Sequence, residues 1–278
     1  MINILVPTDF SALSKVAVHY AIKIANKLNG RITLLHVITI TKPTRATMHE
    51  KIRTLEEDLI RFAERDLIRL FKQVSKTVKT TSPIQYSVVR SSDFTEAIKK
   101  EAKRLSTGLI VMGTKGASGL KKAVVGSNTA SVIEWSNVPV LAVPDKAQFR
   151  GFKDIVYASD LKNLERELKT LILYADPFGS TVHLVHVVSS GKEVDDLEAK
   201  IDKVVKKLGY KNVVSLVLVD RYVEGAIDQY IGVCKADLLA MFTHNLNFYE
   251  KLFDRSMTRK MAFHSIVPLL AFKKKGKI

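Results

Sequence analysis

Short apolar runs alternate with amphipathic segments along the first half of the chain. The runs are rich in β-branched residues and bounded by polar or glycine-containing stretches, as expected of buried strands. Between them, apolar residues recur every three or four positions, as on one face of a helix. Continuously apolar strands separated by helices predict a parallel sheet covered on both faces. Strands are predicted over 2–6, 32–37, 84–89, 109–112 and 138–143, and helices over 13–28, 46–76, 94–105 and 128–135.

The second half of the chain repeats the first. The offset between matching segments is 150 or 151 residues at first and then falls to 129, so the second copy is shorter in its middle. The first copy holds a long charged helical segment there. The repeat predicts two tandem doubly wound α/β domains, 1–146 and 151–278. The matching segments are 3–9 with 154–160, 35–37 with 185–187, 108–114 with 237–243, and 138–143 with 267–272.

Charge and composition argue against several classes of function. The 278 residues carry 44 Lys and Arg against 28 Asp and Glu, a net charge of +16, but the excess is spread over both halves. We find no nucleic-acid-binding motif, and the charge distribution does not favour nucleic-acid binding. No apolar stretch is long enough to span a membrane, and the first residues do not resemble a secretory signal. A single cysteine, Cys234, excludes an internal disulfide framework and fits the cytoplasm.

Candidate chemistry follows the strands, because parallel sheets bind ligands at the carboxyl ends of their strands. A polar, glycine-containing loop runs from Gly113 to Thr129 after the fourth strand. Its glycines would let backbone N–H groups approach a polyphosphate, and Ser127 would open a helix whose N-terminus favours an anion. Structural roles explain the same residues equally well: Gly113 and Gly116 in tight turns, and Ser127 as a helix cap. The histidines form no metal-ligand spacing, and we predict no catalytic residue and no metal site.

Three features in order resemble the universal stress protein family in its tandem two-domain form. They are Pro7-Thr8-Asp9 after the first strand, the spacing Gly113-x2-Gly116-x9-Gly126-Ser127, and the closing strand Val138–Val143. The resemblance implies five-stranded parallel sheets of order 3-2-1-4-5 and an ATP (or AMP) site in the first domain, with Mg²⁺. By the same resemblance, Pro7, Thr8 and Asp9 would line the adenosine, and Val37, ending strand two, would contact adenine. Met112 and Gly113 would lie beneath the nucleoside. The phosphates would be held by Gly116, Gly126, Ser127 and Thr129. Lys115 and Asn128 are added from their places in the same loop, and a helix N-terminal carboxylate is the structural alternative for Asp9.

The second copy departs from this pattern. Phe242, Asn245 and Arg255 stand where the first copy has its three loop glycines, although Asp160 matches Asp9. A phenylalanine would obstruct the approach of backbone to phosphate, so we predict a degenerate loop without the family's ATP site. Binding of another anion in this half is an open alternative, and so is a half that only serves as a scaffold.

The leading hypothesis is a cytoplasmic, ATP-binding universal stress protein that acts as a nucleotide-dependent sensor or interaction module. Two alternatives are a slow ATPase or nucleotide-processing enzyme and a nucleotide-independent, chaperone-like interaction protein. Any enzymatic activity would be limited to slow ATP hydrolysis. The expected partners are an adenine nucleotide and an unidentified protein. We expect no association with a membrane. We also predict that the closing strands of the two halves pair, which would make the chain a dimer within one polypeptide, and a homodimer is compatible with this arrangement.

Overall fold

A computed structural model describes residues 1–39, 49–114, 127–243 and 267–273. The chain divides into two compact units, with the boundary between Asp145 and Lys146. Each unit contains five parallel strands with helices packed against them. The predicted fold class is therefore confirmed. Within the described ranges, no helix has the length and apolar character needed to cross a membrane.

The first unit has the strand order β3-β2-β1-β4-β5, and every neighbouring pair is parallel. The order of the strands along the sheet reverses between β1 and β4. These two strands therefore lie side by side at the point where such sheets bind ligands. Helices α1 and α2 contact each other, as do α3 and α4. The elements are β1 (Asn3–Pro7), α1 (Ala12–Leu28), β2 (Arg31–Thr39), α2 (His49–Val74), β3 (Ile84–Ser91), α3 (Phe94–Arg104), β4 (Leu109–Gly113), α4 (Ser127–Trp135) and β5 (Val140–Val143).

The second unit has the strand order β8-β7-β6-β9-β10, again with every neighbouring pair parallel. Its α6 is 15 residues long, whereas α2 in the first unit has 26, which accounts for part of the shorter middle of the second copy. The elements are β6 (Asp154–Ala158), α5 (Leu164–Ala175), β7 (Thr181–Val188), α6 (Val194–Leu208), β8 (Val213–Val219), α7 (Val223–Cys234), β9 (Leu238–Thr243) and β10 (Leu269–Lys273).

Helix α1, which begins at the candidate site, has well-formed ends. The Ser11 side chain caps its start by accepting a hydrogen bond from the Ser14 N–H. Asn29 ends the helix in the left-handed conformation, with φ of 50°, and its N–H donates to the Ala25 carbonyl. The apolar face between these ends is buried against the sheet, with Ala17, Ala21 and Ala25 fully covered. The helix is thus fixed at both ends and along one face.

Every predicted strand differs from the observed one by one or two residues at one end or both, and two of these differences have a clear physical reason. Strand β2 does not end at Val37 but continues to Thr39, because β3 pairs with it as far as Ser91. Strand β5 begins at Val140 and not at Val138. The Ser136 hydroxyl accepts a hydrogen bond from the Val138 N–H and donates one to its carbonyl, which occupies both groups in a turn.

Candidate functional site

The turn from β1 into α1 places Thr8 and Asp9 at the carboxyl end of the sheet. The Thr8 N–H donates to the Leu35 carbonyl of β2 at 2.8 Å, which extends the sheet by one residue. The Thr8 hydroxyl accepts a hydrogen bond from the Phe10 N–H at 3.0 Å. Phe10 has φ of 65°, a left-handed conformation that few non-glycine residues adopt. Pro7 and Thr8 are buried, whereas Asp9 is exposed.

Asp9 is held by hydrogen bonds from the start of α1. Its Oδ1 accepts from the Ser14 hydroxyl at 2.7 Å and from the Ser11 N–H at 3.1 Å. Partial burial works to raise the pKa of Asp9, but the hydrogen bonds from Ser11 and Ser14 outweigh it, and the pKa lies below its ordinary value. The stabilisation from these bonds is present above the unfolded pKa and is lost as the pH falls through the lower folded pKa. At neutral pH the site therefore presents an ionised acceptor.

His36 supports this turn from β2. Its Nδ1–H donates to the Thr8 carbonyl at 2.8 Å, and its ring lies 4.4 Å from the ring of Phe10, centroid to centroid. His36 is therefore a half-buried residue with a hydrogen-bonded ring. Val37, the predicted adenine contact, is half-buried on the next position of the same strand.

The carboxyl end of β4 forms the other side of the candidate site. Met112 is buried, and Gly113 lies where a Cβ atom would come within 2.6 Å of Leu13 Cγ. The glycine is therefore required by the close packing of α1 on β4, whatever it contributes to a ligand. The Thr129 hydroxyl, which is buried, donates to the Gly113 carbonyl at 2.9 Å and ties the start of α4 to β4.

The predicted phosphate-binding residues are described only in part. Lys115, Gly116 and Gly126 lie outside the described residues. Ser127 is the first residue of α4, and Asn128 is exposed in the same turn. The assignment of Thr129 to phosphate stays a prediction, and such a contact would have to compete with its bond to Gly113.

The structure thus brings Thr8, Asp9 and Gly113 to one edge of the sheet, since β1 and β4 are neighbours. The arrangement places an ionised acceptor, Asp9, at the same end of the sheet as Gly113, against which Leu13 packs. Among the described residues, no group of three His, Cys, Asp or Glu side chains could hold a metal ion.

Comparisons with known proteins show the family and the fold of this chain. A family model of the universal stress protein family matches residues 1–144. The chain belongs to the universal stress protein family. Universal stress protein Slr1230 of Synechocystis is 22% identical over 294 residues, covering 98% of this chain and all of the relative. Universal stress protein MJ0577 of Methanocaldococcus jannaschii is 26% identical over 154 residues, covering 52% of this chain and 95% of the relative. A universal stress protein structure from Archaeoglobus fulgidus covers 98% of each chain with a TM-score of 0.68 and 21% identity, which shows the fold.

The second unit of this universal stress protein keeps the first turn of the site. The Ser159 N–H donates to the Val185 carbonyl at 2.9 Å, and the Ser159 hydroxyl accepts from the Leu161 N–H at 3.1 Å. Leu161 has φ of 61°, and His186 Nδ1–H donates to the Ser159 carbonyl at 2.8 Å. Asp160 accepts a hydrogen bond from the Lys162 N–H at 3.1 Å. Both copies of the turn therefore share one backbone geometry.

The carboxyl end of β9 differs from that of β4. The ring of Phe242, at the position of Gly113, stacks on Phe272 with centroids 4.4 Å apart and an interplanar angle of 8°. Tyr157 meets Phe242 edge-on at 5.7 Å, and its hydroxyl donates to Glu167 Oε2 at 2.6 Å. Burial raises the pKa of Tyr157, so its hydroxyl keeps its proton. Aromatic rings and a buried hydrogen bond fill this end of the second unit.

Proposed function

We propose that the first unit binds ATP and that the protein works as a nucleotide-dependent sensor or interaction module in the cytoplasm. The proposal rests on the ionised carboxylate of Asp9, which lies at the carboxyl end of β1, next to β4, where the strand order reverses. A ribose or adenine presents hydroxyl or amino hydrogens, and an ionised acceptor binds such donors more strongly than a neutral one. Family membership and the glycine spacing of 113–127 support the same ligand.

The phosphates would lie away from Asp9, because two negative charges repel. The start of α4 at Ser127 and the glycine loop before it offer N–H groups and a helix dipole of the opposite sign. Mg²⁺ would arrive with the nucleotide and be held by phosphate oxygens. These residues bind and orient a nucleotide. Asp9 is a poor general base because its pKa lies below the ordinary value, which favours a binding role over rapid turnover.

Replacing Asp9 by asparagine should weaken ATP binding about fivefold, or about 1 kcal/mol, because a neutral acceptor replaces a charged one. Asparagine keeps an oxygen that can accept from Ser11 and Ser14, so the turn should stay folded. Isothermal titration measures the affinity and the number of sites, which we expect to be one per chain. Asp160→Asn is the matched control in the second unit and should leave both quantities unchanged. Equal weakening by the two substitutions, or two sites per chain, would contradict the assignment of the nucleotide to the first unit.

The phosphate loop gives a second test. Gly126→Val should reduce ATP affinity at least about tenfold, or about 1.4 kcal/mol, because a side chain would occupy the space of the phosphates. Lys121→Ala in the same loop should change the affinity by only a few tenths of a kcal/mol, because a solvated charge is screened. Circular dichroism checks that both variants are folded. A folded Gly126→Val protein that binds ATP like the parent would leave the loop glycines with a purely structural role.

A further inference from the structure

Strand β8, at one end of the second unit's sheet, presents a row of backbone groups that point away from the sheet. Among the described strands, β7 alone pairs with it. The Val182 N–H donates to the Asn212 carbonyl at 2.8 Å, and the Asp220 N–H donates to the Val188 carbonyl at 2.9 Å. Backbone groups of successive residues in a strand point to opposite sides, so the even-numbered residues face β7. The N–H and C=O groups that face outward belong to Val213, Ser215, Val217 and Val219.

The side chains of β8 do not protect this edge. The sequence from Val213 to Val219 contains no charged residue, and Val214 and Val219 are 44% and 55% exposed. Natural edge strands are usually blocked by charge, proline, a bulge or a covering segment. The equivalent end strand of the first unit, β3, does carry a charge, since Arg90 of β3 pairs with Glu56 of α2 at 2.5 Å. The edge of β8 is chemically suited to receive another strand.

We propose that β8 is a homodimerisation strand that pairs antiparallel with β8 of a second copy, about a two-fold axis at Leu216. In this register Leu216 faces Leu216 of the other copy, and every outward backbone group meets an outward group of the other copy. The hydrogen-bonded pairs are Val213 with Val219 and Ser215 with Val217. Val214 then faces Leu218, so apolar side chains lie opposite apolar side chains.

Self-complementarity is the reason for choosing a second copy as the partner. Reversing the strand about Leu216 matches an apolar residue to an apolar residue at every position except Ser215. At the ends, Asp220 of one copy faces Asn212 of the other. Each copy contributes its β8 edge, so the two-fold pairing covers both β8 edges and closes as a dimer. The net charge of +16 on each copy opposes association, so the dimer should strengthen as ionic strength rises.

Disulfide cross-linking tests both the surface and the register. Replacing Cys234, the one cysteine in the sequence, by alanine leaves a chain without cysteine, to which a single thiol can be added. Leu216→Cys in this background should form a disulfide-linked dimer under mild oxidation, because mates at a non-hydrogen-bonded pair lie about 4.5 Å apart, Cα to Cα. Val214→Cys is the matched control. Position 214 of the other copy would lie four residues along the strand, about 14 Å away, which is too far for a disulfide.

Analytical ultracentrifugation of the unmodified chain, and of Leu216→Lys, completes the test. We expect a dimer that becomes monomeric when two lysines face each other at the two-fold axis. Non-reducing gels should show the cross-linked band for Leu216→Cys and little for Val214→Cys. A parent protein that stays monomeric and does not cross-link would overturn the proposal. Equal cross-linking of the two cysteine variants would overturn it too, and so would a dimer that survives Leu216→Lys, since either result places the interface elsewhere.

Discussion

Replacing Gly113 by alanine should destabilise the first unit by about 2–3 kcal/mol, because the added atom has no room. The new Cβ would lie 2.6 Å from Leu13 Cγ and 3.2 Å from the Leu13 carbonyl oxygen. Neither the strand nor the helix can easily move, since β4 is hydrogen-bonded between β1 and β5 and α1 is held at both ends. Urea unfolding followed by fluorescence of Trp135, the one tryptophan in the sequence, reports this unit through α4.

A double-mutant cycle separates packing from ligand binding. Leu13→Ala removes the side-chain atoms that the new Cβ would meet and leaves only the backbone contact at 3.2 Å, so the double variant should be at least about 1 kcal/mol more stable than the sum of the two single effects predicts. Gly225→Ala in α7 is a control, because its Cβ would meet Tyr222 Cβ at an ordinary 3.8 Å and alanine favours a helix. An unchanged Trp135 transition in Gly113→Ala, with only ATP binding reduced, would show that the ligand and not Leu13 requires this glycine.

The order of strands and helices could be predicted because each depends on local chemistry. Apolar runs such as Leu109–Met112 are buried on both sides, and the helix over 13–28 has one apolar face and the stop signal Asn29-Gly30. The ends were harder to predict, because neighbours decide them. Pairing with β3 extends β2 to Thr39, and a side-chain bond from Ser136 delays the start of β5. Neither effect has a periodic signal in the sequence.

Residues that support the candidate site show the same limit. The pattern and the family resemblance pointed to Thr8, Asp9 and Gly113, but not to the contact of Leu13 with Gly113 or of Phe10 with His36. Such contacts join residues far apart in the chain and leave no local signature. The internal repeat held one clue, because His36 and His186 occupy equivalent positions, and both donate to the carbonyl of the residue before the site aspartate. An identical residue in two diverged halves indicated a shared contact.

Phe242→Ala should destabilise the second unit by about 2–4 kcal/mol without creating a nucleotide site. The ring stacks on Phe272 and contacts Tyr157, and Phe272 in turn meets Tyr174 edge-on at 5.6 Å. Removing one member leaves a cavity among rings that cannot collapse freely. Urea unfolding followed by far-UV circular dichroism measures the loss, and isothermal titration counts the nucleotides bound. Phe242→Leu is the matched control, because it keeps most of the volume and should cost less than half as much.

The count of bound nucleotides should stay at one per chain because a single ring is not the whole difference between the halves. Asn245 and Arg255 also replace glycines of the first copy, so backbone approach to a phosphate would still be obstructed after the ring is removed. The turn at Ser159 and Asp160 already has the geometry of Thr8 and Asp9. A second ATP equivalent bound by Phe242→Ala would therefore show that this turn needs only an uncovered strand end, and that the loop glycines are dispensable. Stability equal to the parent would show that the stacked rings contribute little to the second unit.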